Sequence, residues 1–119
     1  MLKRHAVHLI LDCEGCSNLD NEDKIRDFLE SFPAEIGMKT ISKPEVIKYN
    51  HPKDEAENGI TGFVVLAESH LAIHTYPARS YFALDIFTCK QFDVEKAIAI
   101  VKKEFNVENL KKQFIERGI

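Results

Sequence analysis

The 119-residue sequence has no tryptophan, only three cysteines and no apolar run close to the roughly 20 residues that a membrane-spanning helix needs. The N-terminus carries no export signal, so the odd number of cysteines indicates reduced thiols rather than a disulfide framework. Excess positive charge is also missing, since the net charge is −3. We therefore expect one cytoplasmic domain, residues 1–119, with neither nucleic acid nor a membrane among its partners.

Apolar residues make up 45% of the chain, which is enough for one hydrophobic core. Alternating and helical apolar patterns predict eight elements. In order, these are a strand at 5–12, a helix at 21–31 between a cap at Asn18 or Asp20 and a stop at Pro33, strands at 39–48, 63–67, 72–76 and 81–88, a helix at 93–104 capped by Asp93, and a strand at 107–116. The unbroken apolar run 63–67 favours a central buried strand.

This order predicts an α+β fold, a two-layer sandwich in which two helices cover one face of a mostly antiparallel sheet. The other face of the sheet then has no cover from the chain itself, although its strands carry apolar residues on both sides. A second copy of the chain would supply that cover, and we expect a homodimer.

Two candidate metal or redox sites stand out among the cysteines and histidines. Cys13 and Cys16 have the spacing of a zinc or redox motif, but a zinc ion would need His5 and His8 as its other ligands. The favoured interpretation is a turn that closes the first strand, made possible by Gly15. A second metal hypothesis would use His70, His74 and Cys89, and we expect no metal at either place.

A polar segment, Glu68-Ser69-His70, interrupts what would otherwise be a continuous hydrophobic strand, and His74 follows soon after. Burying these groups costs several kcal/mol unless each of them has a partner. One explanation is a hydrogen-bonded turn between two strands. Another is a Ser–His or Cys–His nucleophile, although the Gly-x-Ser-x-Gly elbow of the serine hydrolases is missing.

The segment from Gly59 to Pro77, GITGFVVLAESHLAIHTYP, and the segment ALDIFTC at 83–89 resemble the core of the prokaryotic S-adenosylmethionine decarboxylases. The end of the first strand, Leu11-Asp12 followed by Gly15-Cys16, is also similar. The resemblance implies that family's fold. It also implies a precursor that cuts itself between residues 68 and 69 into a β chain, 1–68, and an α chain, 69–119, so the homodimer expected above would consist of cleaved αβ units.

The resemblance also assigns roles to individual residues. Ser69 becomes a pyruvoyl group that forms a Schiff base with the substrate's α-amine, so neither pyridoxal phosphate nor a metal is needed. Glu68 precedes the bond that is cut. His74 matches the family's proton acceptor in processing, and Cys89 matches its proton donor in turnover. Thr61 stands at the position of the hydroxyl that takes part in processing, where the family usually has a serine.

One geometric condition accompanies these roles. Ser69 and His74 are five residues apart, an odd spacing that places them on opposite faces of a regular strand. If His74 serves Ser69, a bulge or tight turn must lie near residues 70–72, and an uninterrupted strand from Leu66 to Tyr76 would contradict this role of His74.

The substrate-binding positions depart from the family pattern. Tyr76 keeps an aromatic ring, but Ala78 stands where the family has a glutamate suited to hydrogen-bonding a ribose. The loop that usually offers an aromatic to adenine instead contains Asp54, Glu55 and Glu57, which could pair with a cationic side chain. We therefore expect a basic L-amino acid, L-arginine or L-ornithine, as the substrate in polyamine biosynthesis. The alternatives are S-adenosylmethionine, for spermidine synthesis, and an unprocessed, non-enzymatic regulatory homologue.

Overall fold

The computed structural model describes residues 4–119, with side chains from residue 6 onward. Six strands and two helices lie in this part of the chain. Their bounds are β1 Arg4–Glu14, α1 Glu22–Glu35, β2 Glu45–Tyr49, β3 Gly59–Leu66, β4 Ser69–Tyr76, β5 Tyr81–Thr88, α2 Val94–Phe105 and β6 Asn109–Gly118. Single 3₁₀ turns, Glu55–Glu57 and Pro77–Arg79, precede β3 and β5.

The strands form one sheet in the order β2-β3-β4-β5-β1-β6, and every neighbouring pair is antiparallel. Side chains alternate between the two faces, because successive residues of a strand point in opposite directions. The inner face packs on both helices to form the core, where the Phe105 ring lies 5.1 Å from Phe28 and 4.8 Å from Phe82 between ring centres. The predicted α+β fold, with two helices on one face of an antiparallel sheet, is confirmed.

The opposite side of the sheet, here called the open face, has no helix on it. Large apolar side chains on this face remain exposed, Phe63 by 44% and Val65 by 39%. The prediction that the run 63–67 is buried on both sides is therefore wrong, because β3 alternates between the core and the open face.

The predicted bounds of α1 and β2 also differ from the structure. Helix α1 begins after Asn21, whose side chain accepts the Lys24 N–H at 3.1 Å, so the cap is neither Asn18 nor Asp20. Pro33 lies inside this helix rather than ending it, and its missing N–H removes the helical hydrogen bond to the Leu29 carbonyl. Strand β2 begins at Glu45 because Pro44, which has no N–H, cannot join the hydrogen-bond ladder.

Within residues 4–119, neither helix has the length and apolar content to cross a membrane. The cytoplasmic location stays a prediction.

Candidate active site

The segment Glu68-Ser69-His70 forms the end of a hairpin, so the explanation as a turn between two strands is confirmed. Leu66 pairs with Ser69 across β3 and β4, which leaves Ala67 and Glu68 as the two turn residues. Glu68 has a φ of 64°, in the left-handed region that costs a residue with a side chain on the order of 1 kcal/mol. This strain lies directly before the peptide bond that the sequence predicts to be cut.

Ser69, the first residue of β4, is half-buried and lies on the inner-face side of the strand. Its hydroxyl donates a hydrogen bond to Thr88 Oγ1 at 2.7 Å, and the two residues are register partners on β4 and β5. Thr88 is fully buried, and its Oγ1 also accepts the backbone N–H of Lys90 at 3.0 Å. The predicted cofactor-forming oxygen therefore has a defined partner in the precursor.

Cys89 joins the same end of the hairpin. Its thiol donates to Glu68 Oε2 at a sulfur–oxygen distance of 3.7 Å, and the residue is exposed. The fold thus brings together the two residues on either side of the bond predicted to be cut and the predicted proton donor of turnover, although Cys89 is 20 positions from Ser69 in the sequence.

The predicted processing pair lies at the other end of the hairpin. Thr61 Oγ1 is 3.0 Å from His74 Nδ1, both residues are exposed, and they are register partners on β3 and β4. The predicted bulge at residues 70–72 is wrong, because β4 keeps a regular register from Ser69 to Tyr76. His74 therefore lies on the open face, about 17 Å along the strand from Ser69 of its own chain.

A cavity of about 260 Å³ adjoins the processing pair. Besides Thr61 and His74, its lining includes Tyr49, His51, Glu57 and Tyr76. Of the four predicted substrate-binding residues, Tyr76 and Glu57 thus lie beside His74, whereas Asp54 and Glu55 are outside the lining.

Two of the three loop carboxylates already have partners within the chain. The Asp54 side chain accepts the Ala56 N–H at 3.0 Å and caps the 3₁₀ turn. Glu57 forms an ion pair with Arg79, whose guanidinium lies 5.4 Å from the centre of the Tyr76 ring. These contacts give two of the acidic residues a role in holding the loop.

The cysteine and histidine groups considered for metal binding do not assemble. Burial raises the pKa of the Cys13 thiol to about 12 and that of Cys16 to about 11, so both stay protonated near neutral pH. Across the described side chains, no three or more His, Cys, Asp or Glu residues cluster as metal ligands. The side chain of His5 lies outside the described residues.

Five residues of these two sites were not predicted as site residues, namely Thr88 at the hairpin and Tyr49, His51, Gly59 and Thr75 around the cavity. For Thr88 the sequence does contain a signal, because this polar residue ends the alternating inner-face series Phe82, Leu84 and Ile86. Tyr49 and His51 reach the cavity only through the pairing of β2 with β3, which no short sequence pattern reveals.

Comparisons with known proteins identify the family. The family model described as S-adenosylmethionine decarboxylase matches residues 7–118. The S-adenosylmethionine decarboxylase proenzyme of Thermomicrobium roseum is 32% identical over 123 residues, which cover 99% of this chain and 97% of the relative. The proenzyme of the same name from Thermococcus gammatolerans is 33% identical, over 96% of this chain and 77% of its own length.

The fold agrees as well. The crystal structure of the adenosylmethionine decarboxylase from Aquifex aeolicus matches with a TM-score of 0.76 and 29% identity, covering 98% of this chain and 93% of that one. The chain belongs to the S-adenosylmethionine decarboxylase family, whose members are pyruvoyl-dependent decarboxylases.

Proposed function

We propose that this chain is a precursor that cuts itself between Glu68 and Ser69, into fragments 1–68 and 69–119, and converts Ser69 into its pyruvoyl cofactor. The observation that carries this proposal is the assembly of Glu68, Ser69 and Cys89 at the hairpin between β3 and β4. The left-handed backbone of Glu68 supports it, since cutting the following bond would relieve the strain of that conformation.

The residues around Ser69 suit the turnover that would follow. A pyruvoyl group at the start of the second fragment supplies a carbonyl that withdraws electrons from the substrate's α-carbon while carbon dioxide leaves. Cys89 is exposed beside the bond proposed to be cut, and this supports its proposed role of returning a proton to that carbon.

For the substrate, S-adenosylmethionine is now favoured over the basic amino acid that the sequence suggested. The relatives that carry this substrate in their names align with nearly the whole chain. The sequence suggested that the carboxylates of Asp54 and Glu57 bind a cationic substrate. In the fold, both carboxylates already have partners within the chain. L-Arginine or L-ornithine stays the second candidate, since Ala78 offers no ribose acceptor and Glu57 lines the cavity beside His74. Any of these reactions would feed polyamine biosynthesis.

Two measurements on the purified protein test this proposal. Denaturing mass spectrometry is expected to show fragments 1–68 and 69–119, the second with a blocked N-terminus, and Ser69→Ala is expected to remain whole. Carbon dioxide release is then compared for S-adenosylmethionine, L-arginine and L-ornithine offered in parallel, with Ser69→Ala as the blank. A wild-type chain that never splits would instead identify the regulatory homologue, and a strong preference for arginine or ornithine would reverse the substrate assignment.

We also propose that the open faces of two copies pack together in a homodimer. Exposed apolar side chains, including Ile47 at 62% and Tyr49 at 54%, extend along this face with Phe63 and Val65. The separation of Ser69 from His74 gives a second argument, because His74 cannot reach Ser69 of its own chain. If two copies stack in opposite directions, the Thr61–His74 pair of one lies over the hairpin turn at Ala67 and Glu68 of the other, next to the bond proposed to be cut. Sedimentation of the purified protein at several concentrations measures its mass, and a monomer throughout would contradict this assembly.

A further inference from the structure

We propose that Thr88 is a catalytic residue of self-cleavage, whose hydroxyl holds the Ser69 oxygen in place for its attack on the Glu68 carbonyl. This inference rests on the proposed function, because it assigns a residue to the cleavage step. The relevant contact is the 2.7 Å hydrogen bond that Ser69 Oγ donates to Thr88 Oγ1. Thr88 therefore touches the atom that must react.

The surroundings of Thr88 fix its hydroxyl in this position. Thr88 is fully buried on the inner face, directly opposite Ser69 in the antiparallel ladder. A threonine oxygen has two acceptor sites, and the Lys90 N–H occupies one of them at 3.0 Å. The other site accepts the Ser69 hydroxyl. Both bonds restrict the rotation of the Thr88 and Ser69 side chains. Fixing the position of the attacking oxygen in this way lowers the activation free energy of the reaction.

The first step of cleavage exchanges one bond for another. Ser69 Oγ bonds to the carbonyl carbon of Glu68, the bond from that carbon to the Ser69 nitrogen breaks, and the hydroxyl proton ends on that nitrogen. An ester joins the two residues. In this step the hydrogen bond to Thr88 keeps Oγ in one rotamer, and it breaks as the hydroxyl proton moves to the Ser69 nitrogen.

The second step removes the same oxygen from Ser69. A base takes the Cα proton, a Cα–Cβ double bond forms, and the Cβ–Oγ bond breaks with its electron pair staying on the oxygen. The former Ser69 oxygen thus leaves as one oxygen of the Glu68 α-carboxylate. Water then replaces the nitrogen, releasing ammonia and leaving the pyruvoyl group. Because the contact with Thr88 exists in the precursor, we assign Thr88 to the first step.

The test follows the splitting of newly made chains. Wild type, Thr88→Val and Thr88→Ser are produced by cell-free synthesis, translation is stopped, and intact chain and fragments are measured over time by denaturing mass spectrometry. Thr88→Val keeps the shape of the side chain but loses the hydroxyl, and we expect splitting to slow roughly 100-fold, the usual effect of misplacing a reacting group by about 1 Å. Thr88→Ser keeps the hydroxyl and is expected to split at close to the wild-type rate.

Thr75→Val is the matched control. Thr75 is also a buried threonine on the inner face, donating to the Leu19 carbonyl at 2.8 Å and accepting the Ile60 N–H at 3.0 Å, but it does not contact Ser69. Thr75 also borders the cavity beside His74, so this variant is expected to lose thermal stability but to slow splitting far less than Thr88→Val does. If it slowed as much as Thr88→Val, loss of any buried threonine hydroxyl would explain the effect, and the assignment would fail.

Hydroxylamine, which cleaves esters, locates the affected step. If Thr88 acts in the attack, Thr88→Val contains little ester, and hydroxylamine does not accelerate its splitting. An accumulated ester that hydroxylamine cuts would place Thr88 in the later elimination and overturn the assignment. Splitting of Thr88→Val at or above the wild-type rate would also overturn it, whereas failure of the wild-type chain to split would refute the proposed function itself.

Discussion

Thr61 and His74 lie opposite each other on β3 and β4, with 3.0 Å between Oγ1 and Nδ1, at the far end of the hairpin from Ser69. One chain therefore carries two separate parts of the proposed site. Glu68, Ser69 and Cys89 form one part, and the Thr61–His74 pair with its cavity forms the other. A site made of both parts requires two copies of the chain.

Co-expression of two inactive variants tests this shared site. His74→Ala keeps Ser69 but lacks the histidine, and Ser69→Ala keeps the histidine but lacks the serine. Each chain alone is expected to remain whole. When both are made together in equal amounts, random pairing places about half of the His74→Ala chains in mixed dimers, and these chains should split. Mass spectrometry distinguishes the two chains because their masses differ.

The matched control pairs His74→Ala with a chain that carries both Ser69→Ala and His74→Ala. No histidine is then available at position 74, so no chain should split. If His74→Ala alone split at the wild-type rate, His74 would have no role in processing. If no chain split in the mixture of His74→Ala and Ser69→Ala, the shared site would be contradicted.

Cys89→Ala is expected to separate cofactor formation from turnover. The variant should still split between residues 68 and 69, because the attack uses the Ser69 oxygen rather than the thiol. Carbon dioxide release should fall by roughly 10²- to 10⁴-fold, the usual contribution of a positioned proton donor. Cys16→Ala is the control, since Cys16 lies outside the hairpin, and it should keep normal turnover. Failure of Cys89→Ala to split would give the thiol a different role.

The hydroxyl of Tyr81 donates to Asp12 Oδ1 at 2.5 Å, and this hydrogen bond, followed by burial, raises the pKa of Tyr81 from 10 to about 12. The folded state thus holds the phenolic proton more tightly than the unfolded state. The stabilisation is complete below pH 10 and is lost as the pH rises through about 12. Melting temperatures from pH 8 to 12 should fall more steeply for wild type than for Tyr81→Phe.

The variant Asp12→Asn tests whether the Asp12 carboxylate causes the raised pKa of Tyr81. Without the carboxylate, the pKa of Tyr81 should move down toward 10, and ultraviolet absorbance of the tyrosinate should reveal the change. The Tyr81 signal is obtained by subtracting the titration of Tyr81→Phe from that of the parent protein. An unchanged Tyr81 titration in Asp12→Asn would show that Asp12 does not cause the shift.

Local patterns predicted the regular elements well. Strand β5 occupies residues 81–88 as expected, because its alternation is uninterrupted, and Asp93 caps α2 through its side-chain bond to the Lys96 N–H. The hairpin turn was harder to define. Glutamate is an uncommon residue at positive φ, so nothing in the sequence distinguished a turn at Glu68 from a polar interruption within one strand.

The site itself could be predicted only in part. The resemblance identified Ser69, His74 and Cys89, but not which of them lie together. That depends on the register of β3, β4 and β5, which pairs Ser69 with Thr88 across 19 residues of sequence and places His74 on the opposite face. Register is determined by packing of the whole sheet, and no spacing along one strand reveals it.

Gly59 provides a final prediction about the scaffold. A Cβ added at Gly59 would overlap the backbone oxygen of Thr75 on the neighbouring strand, whereas one at Gly62 would meet Leu29 Cδ1 at 2.8 Å. The leucine side chain can rotate, but the strand backbone cannot move without breaking its ladder. Gly62→Ala should therefore cost about 1–3 kcal/mol of unfolding free energy and Gly59→Ala more than that. Urea unfolding of both variants in the uncleaved Ser69→Ala background measures the costs, and an equal or smaller loss for Gly59→Ala would contradict this close approach of β3 to β4.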